Sequence, residues 1–184
     1  IDMKKLDAAA HDIPSGMNVW EGRRAHFDLE RLRCYRNLRD TKRLQRSLGT
    51  LGGGNHFIEV DQAADGTKYL VIHTGSRNLG KQVAEFYQQL AVDLHKGKEE
   101  YFQKKDALIA EYKVAGRRKE IQAALKELHW ANHELLIPED LCYLYGRYFE
   151  DYLEDVRICQ EFARNNRELI AEILLEKTGL QAKE

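Results

Sequence analysis

The sequence predicts an α+β fold in which antiparallel strands are covered by helices and a helical hairpin projects from them. Three observations carry that expectation. Two short apolar runs, Phe57 to Val60 and Tyr69 to Ile72, flank an Asp65-Gly66 pair, which is the composition of a two-strand hairpin. Apolar residues recur at helical spacing from Lys81 to His95 and again from Tyr152 to Leu175. Between those helices, roughly Lys98 to Leu136, a charged stretch repeats Tyr101, Leu108, Ile109 and Tyr112, then Ile121, Leu125 and Leu128, with Gly116 breaking the run.

Composition bounds the rest. With 184 residues, 43% hydrophobic and 32% charged, the chain suffices for one domain, 1–184, with a real core. A net charge of −1 excludes a global attraction to nucleic acid. RNA binding would need local basic clusters, and Arg31, Arg33, Arg36, Arg39, Lys42, Arg43 and Arg46 form one; the plainer reading of that run is a solvated helix face. Cys34, Cys142 and Cys159 make no CxxC pair and no disulfide ladder, which points to buried thiols in a reducing compartment. There is no membrane-length apolar run and no signal-peptide pattern, so the expected location is cytoplasmic. The chain opens at Ile1 inside a periodic pattern, without an initiator Met, and reads as cut from something longer.

Element by element, Ile1 to Ala10 reads as a short helix, closed by His11-Asp12-Ile13-Pro14-Ser15-Gly16. Gly22 to Phe27 reads as loop. Asp28 to Arg46 reads as helix, with Leu29, Leu32 and Leu38 inward and the arginines outward. After the strands, the Lys81 helix puts Val83, Phe86, Tyr87, Leu90 and Leu94 on one face. His129 and His133 stand at i, i+4, but Trp130-Ala131-Asn132 between them lacks the acid of a metalloprotease helix, so a structural role is expected. Pro138 starts another helical stretch, with Glu139 and Asp140 in its first turn. In the final helix Val156, Cys159, Phe162, Ala163, Leu169 and Ile173 are candidate core, and Gly179 suits its C-cap.

The chemistry concentrates at Leu48-Gly49-Thr50-Leu51-Gly52-Gly53-Gly54-Asn55-His56-Phe57-Ile58-Glu59-Val60. Four glycines within six positions allow a tight turn or close approach to a ligand, and Asn, His and Glu follow at once. No Gly-Lys-Ser/Thr follows, so this is not a P-loop. In a strand, Asn55, Phe57 and Glu59 would face one way and His56, Ile58 and Val60 the other. The second run ends in His73-Thr74-Gly75-Ser76-Arg77 before a helix, where backbone N–H groups and Arg77 suit phosphate. The hairpin brings His56 and His73 onto neighbouring strands, where two imidazoles can bind a metal.

These two motifs together, Leu-Gly-Thr-Leu-Gly-Gly-Gly-Asn-His-Phe-Ile-Glu-Val and Val-Ile-His-Thr-Gly-Ser-Arg-Asn-Leu-Gly, resemble the RtcB family of tRNA-splicing and RNA-repair ligases. Asp12 to Gly16, Tyr152-Leu153-Glu154-Asp155 and Ala163-Arg164-Asn165-Asn166-Arg167 extend the likeness over most of the chain except roughly Lys98 to Leu136. The resemblance implies a central region of a longer RtcB-like domain. His56 and His73 would then be ligands of a manganese pair, Asn55 and Glu59 contacts to guanosine nucleotide, and Asn166 and Arg167 a tie between helix and site. Arg77 and Arg43 would lie at a phosphate or RNA surface, although Leu44 and Ser47 stand where the family usually has Gly and Gln. The family's upstream Asp and Cys, and its downstream metal-ligand His, guanylylated His and nucleotide-contacting Lys, have no match here.

The implied activity is a GTP- and Mn2+-dependent RNA ligase joining 3′-phosphate or 2′,3′-cyclic phosphate ends to 5′-hydroxyl ends, with this chain alone inactive and no catalytic nucleophile within it. A carboxylate at Glu59 suits guanine, whose N1–H and N2 amino group both donate, whereas adenine presents an acceptor at N1. The alternative is a noncatalytic RNA-binding or assembly module that retains the fold.

Overall fold

The structure is a computed structural model that describes residues 1–17 and 26–182. It is helix-rich with one two-stranded antiparallel sheet, the α+β class expected. The chain divides into two compact units, Ile1–Ala84 with Asp151–Glu184, and Glu85–Glu150.

In the first unit, α1 (Met3–His11) is capped by the Asp2 carboxylate, which accepts from Lys5 N at 3.1 Å, and it buries Leu6 and Ala9. Residues 22–25 of the expected Gly22 to Phe27 loop lie outside the described residues. Asp28 to Arg46 is not one helix. It is two single 3-10 turns, Leu29–Arg31 and Tyr35–Asn37, followed by the short α2 (Thr41–Arg46). The reason is tertiary: the buried Asp155 carboxylate captures the backbone N–H groups of Arg33 and Cys34 at 2.8 and 3.1 Å, donors that a continuous helix would have turned to its own carbonyls. Asp40, left-handed at φ 52°, then restarts the chain as the cap of α2. Leu29 and Leu32 face inward as expected. Part of the basic run is spent on structure, because Arg31 makes a two-pronged ion pair with Glu161 at 2.8 Å.

The hairpin forms where the sequence places it. β1 (Phe57–Gln62) pairs with β2 (Lys68–His73), and Phe57 stands opposite His73, Glu59 opposite Val71. Gly66, at φ 83°, turns the chain, and the Asp65 carboxylate accepts from Thr67 N at 2.9 Å. α3 (Leu79–His95) starts two residues before Lys81. The buried apolar residues of this unit include Phe27, Leu44, Leu48, Leu79, Ile158, Phe162, Ile170 and Leu174, and the Phe27 and Phe162 rings meet edge to face at 5.1 Å. Each such fully buried apolar side chain contributes about 1.5–3 kcal/mol.

The last helix, α6 (Gly146–Thr178), runs unbroken for 33 residues. It does not begin at Pro138. Only a 3-10 turn, Glu139–Leu141, follows that proline, and the chain stays extended at Cys142 before Gly146, at φ 53°, opens α6.

In the second unit, α4 (Glu99–Val114) and α5 (Ile121–Lys126) pack against each other within the segment expected as a hairpin, and neither buries a residue fully. A small core joins Ala91, Val92 and Cys142 to Leu135, Ile137 and Leu144. His129 and His133 lie beyond α5, so their i, i+4 spacing does not bring them onto one helix face. His133 N donates to Lys96 O at 2.9 Å, and its ring covers Gly97.

The three cysteines are free and buried, as expected. Burial pushes the Cys159 thiol up to about 12 and the Cys34 thiol higher still, which leaves both unreactive. Among the described residues no helix is long and apolar enough to cross a membrane.

Candidate functional site

The site lies at one end of the hairpin, within the first unit. His73 is the last residue of β2 and stacks on its cross-strand partner Phe57, ring centroids 5.0 Å apart. Paired residues of an antiparallel ladder point to the same face, so His73 shares its face with Phe57 and Glu59. His56 precedes the strand, and the alternation expected to turn it away does not reach it. Its ring stands 6.1 Å from that of His73, centroid to centroid. The hairpin therefore does bring the two histidines together. Asn55, Glu59 and His73 are exposed at this end and His56 is half-buried.

His56 titrates below its ordinary value. Burial is the largest cause, followed by the positive Arg77 and by His73, while the Gly53 backbone acts in the opposite direction. A neutral ring keeps a lone pair for a ligand.

Arg77 is held by the loops. Its backbone is left-handed at φ 53°. Its guanidinium donates to Thr50 Oγ1 at 3.1 Å, to Leu51 O at 3.2 Å and to Ser15 O at 3.2 Å, and lies 3.4 Å from His56 Nδ1, the longest of the four contacts. This packing explains Gly52: at φ 95°, a Cβ there would collide with the Arg77 guanidinium and the His56 ring. The first amides of α3 are less open than the sequence implies, because Ser76 accepts from Leu79 N through its carbonyl and from Gly80 N through its hydroxyl. Arg43 is exposed on α2.

Behind the loops stands α6. Asn166, fully buried, accepts from Gly49 N and Thr50 N and donates to Thr50 O and Gly75 O. Arg167 donates to Thr74 O at 3.0 Å. The loops also bond each other, Thr74 Oγ1 donating to Leu51 O at 2.7 Å, and Leu51 N donates to Pro14 O at 2.9 Å. Sequence reasoning passed over Thr50 and Thr74, both buried. The signal for Thr50 was present, since a lone hydroxyl among glycines has few other uses than to bond the loop itself.

As a metal centre the arrangement is partial. Two adjacent imidazoles suit a divalent transition metal. Among the described residues there is no group of three metal-type side chains, so His56 and His73 supply only part of a coordination shell.

The family model described as tRNA-splicing ligase RtcB matches residues 21–182. The chain belongs to the RtcB family. It is 30% identical over 139 residues to the RNA-splicing ligase RtcB of Escherichia coli, covering 74% of this chain and 25% of that protein. It is 35% identical over 106 residues to the tRNA-splicing ligase RtcB of Nanoarchaeum equitans, covering 48% and 22%. With the tRNA-splicing ligase RtcB of Aeropyrum pernix the identity is 42% over 60 residues, 25% and 12% of the two chains. The chain thus spans about a quarter of the length of the first of these RtcB relatives. No solved structure matches it. All six candidate residues, Arg43, Asn55, His56, Glu59, His73 and Arg77, fall inside the RtcB match. Pro14 and Ser15 fall outside it yet bond the loops within it.

Proposed function

We propose that this chain is the part of a cytoplasmic RtcB-type RNA ligase that holds guanosine nucleotide and manganese, in an enzyme joining 3′-phosphate or 2′,3′-cyclic phosphate RNA ends to 5′-hydroxyl ends. The observation that carries the reading is the 6.1 Å approach of His56 and His73 beside the exposed Asn55 and Glu59. His56 and His73 hold manganese through neutral imidazoles, as two ligands of a larger shell. When bound, the metal supplies Lewis acidity toward the triphosphate. Asn55 contacts the phosphate end of the nucleotide. Glu59, two residues along the strand from Phe57, accepts from the guanine edge and selects GTP over ATP. Arg43 and Arg77 are the cations assigned to phosphate. Arg77 already spends its donors on protein, so its loss loosens the loop as well, whereas loss of Arg43 removes a charge alone.

The test is equilibrium dialysis of the purified chain against labelled GTP or ATP with Mn2+, followed by denaturation. The reading predicts Mn2+-dependent retention of GTP over ATP, and no label on the denatured chain, because two imidazoles do not make a complete centre. Glu59→Ala erases the preference for GTP while sparing Mn2+ affinity, and His56→Ala does the reverse. Equal loss of Mn2+ affinity in both variants contradicts the assignment. The absence of a three-residue metal group among the described residues favours the second reading, a noncatalytic RNA-binding or assembly module, and RNA retention without Mn2+-dependent GTP retention would select it.

A further inference from the structure

Two polar side chains of α6 are completely buried, Asp155 and Asn166, and they are used differently. The Asp155 carboxylate accepts from Arg33 N and Cys34 N, adjacent amides of the segment before α2. The Asn166 amide reaches two loops. Its Oδ1 accepts from Gly49 N at 2.7 Å and Thr50 N at 3.1 Å, while its Nδ2 donates to Thr50 O at 3.1 Å and Gly75 O at 3.4 Å. An amide does both, whereas a carboxylate has no donor for the two carbonyls.

The loops it joins are the ones that carry the histidines. Gly49 and Thr50 open the glycine loop that ends at His56, and Thr74 and Gly75 directly follow His73. Arg167, the next residue of α6, adds a bond to Thr74 O at 3.0 Å. The strands themselves offer little rigidity, since none of their residues is fully buried. Beside the strand ladder and the Thr74–Leu51 bond, the two loops that present His56 and His73 thus share a third support, one buried side chain of a distant helix. We propose that Asn166, assisted by Arg167, is a positioning residue that sets the separation of His56 and His73 for a shared metal, with α6 as the template of the centre. The proposal rests on the reading of these two histidines as metal ligands.

A buried amide acts here without touching the metal, by fixing the backbones that present its ligands, and losses of such outer-shell support typically cost about 10- to 100-fold in metal affinity. The test is Co2+ titration of the purified chain, read by visible absorption, with folding followed by circular dichroism. Asn166→Ser cannot span both loops and is expected to lower Co2+ affinity about 10- to 100-fold and to change the absorption band. Asp155→Asn, equally buried on the same helix, is expected to lower the melting temperature while leaving affinity and band as in the parent chain. Arg167→Met is expected to weaken Co2+ binding in the same direction by less, and it decides the matter if Asn166→Ser does not fold. Unchanged affinity and band in a folded Asn166→Ser, or in Arg167→Met when that variant decides, would overturn the inference alone, as would an equal loss in Asp155→Asn. Unchanged Co2+ binding in both His56→Ala and His73→Ala would overturn the metal reading and the inference with it.

Discussion

The two ends of one hairpin are built on opposite terms. At the Asp65-Gly66 end the strands close through a local turn, Gly66 N donating to Ala63 O and Asp65 capping Thr67, and every residue from Ala64 to Tyr69 is exposed. At the histidine end each neighbouring loop is anchored by a buried threonine: Thr50 and Thr74 are 0% and 6% exposed, and Asn166, Arg167 and Arg77 bond the loops. A two-stranded hairpin is marginal by itself. The order needed for a site is thus imported from the loops and α6, at the end where the histidines lie.

The largest difference between the two ends should appear when the same methyl group is placed at each. Gly52 and Gly66 both have positive φ, 95° and 83°, but a Cβ at Gly52 meets Arg77 and His56 whereas one at Gly66 meets nothing. Gly66→Ala should cost about 1–2 kcal/mol for backbone strain alone. Gly52→Ala adds overpacking and should reach about 3–4 kcal/mol. Urea denaturation measures both, and equal costs would mean that the two ends are alike.

A smaller effect is expected from paired threonines. Thr50→Val removes the acceptor of Arg77 Nε and the hydroxyl that donates to Ser47 O at 2.6 Å, both in a water-excluded loop, and should cost about 1–3 kcal/mol. Thr67→Val, on the exposed turn, should stay within about 0.5 kcal/mol. The same denaturation series checks it, and a Thr67→Val loss as large as that of Thr50→Val would dissolve the distinction.

The smallest effect is a pH slope. His56 titrates below its ordinary 6.5 in the folded chain, so between the folded value and 6.5 the unfolded chain binds the extra proton. The contribution of His56 to stability is therefore full above 6.5 and falls as pH drops through that window, down to the folded value. Stability measured across it should decline more steeply in the parent chain than in His56→Ala. Parallel slopes would show that the ring is not constrained.

What the sequence made legible was local. Asp65-Gly66 with flanking alternation placed both strands, and the spacing of Val83, Tyr87 and Leu94 placed α3 within two residues of its start. The long-range parts were not legible. Helical periodicity in Asp28 to Arg46 was overridden because Asp155 takes two amides from it, a contact spanning more than a hundred positions. Pro138 had the signals of a helix start, yet the chain made one turn and waited for Gly146. At the site, the motif pointed to His56 and His73, but the means of holding them, Asn166 across two loops and Arg77 over Gly52, exists only in three dimensions.

The proposed metal centre of His56 and His73 can be checked by adding substoichiometric Mn2+ to the chain and following the imidazole resonances of its seven histidines by NMR. Paramagnetic broadening falls steeply with distance. His56 and His73 should broaden together and first, while His11, His26, His95, His129 and His133 stay sharp. Broadening of only one of the pair, or of another histidine before them, would contradict it.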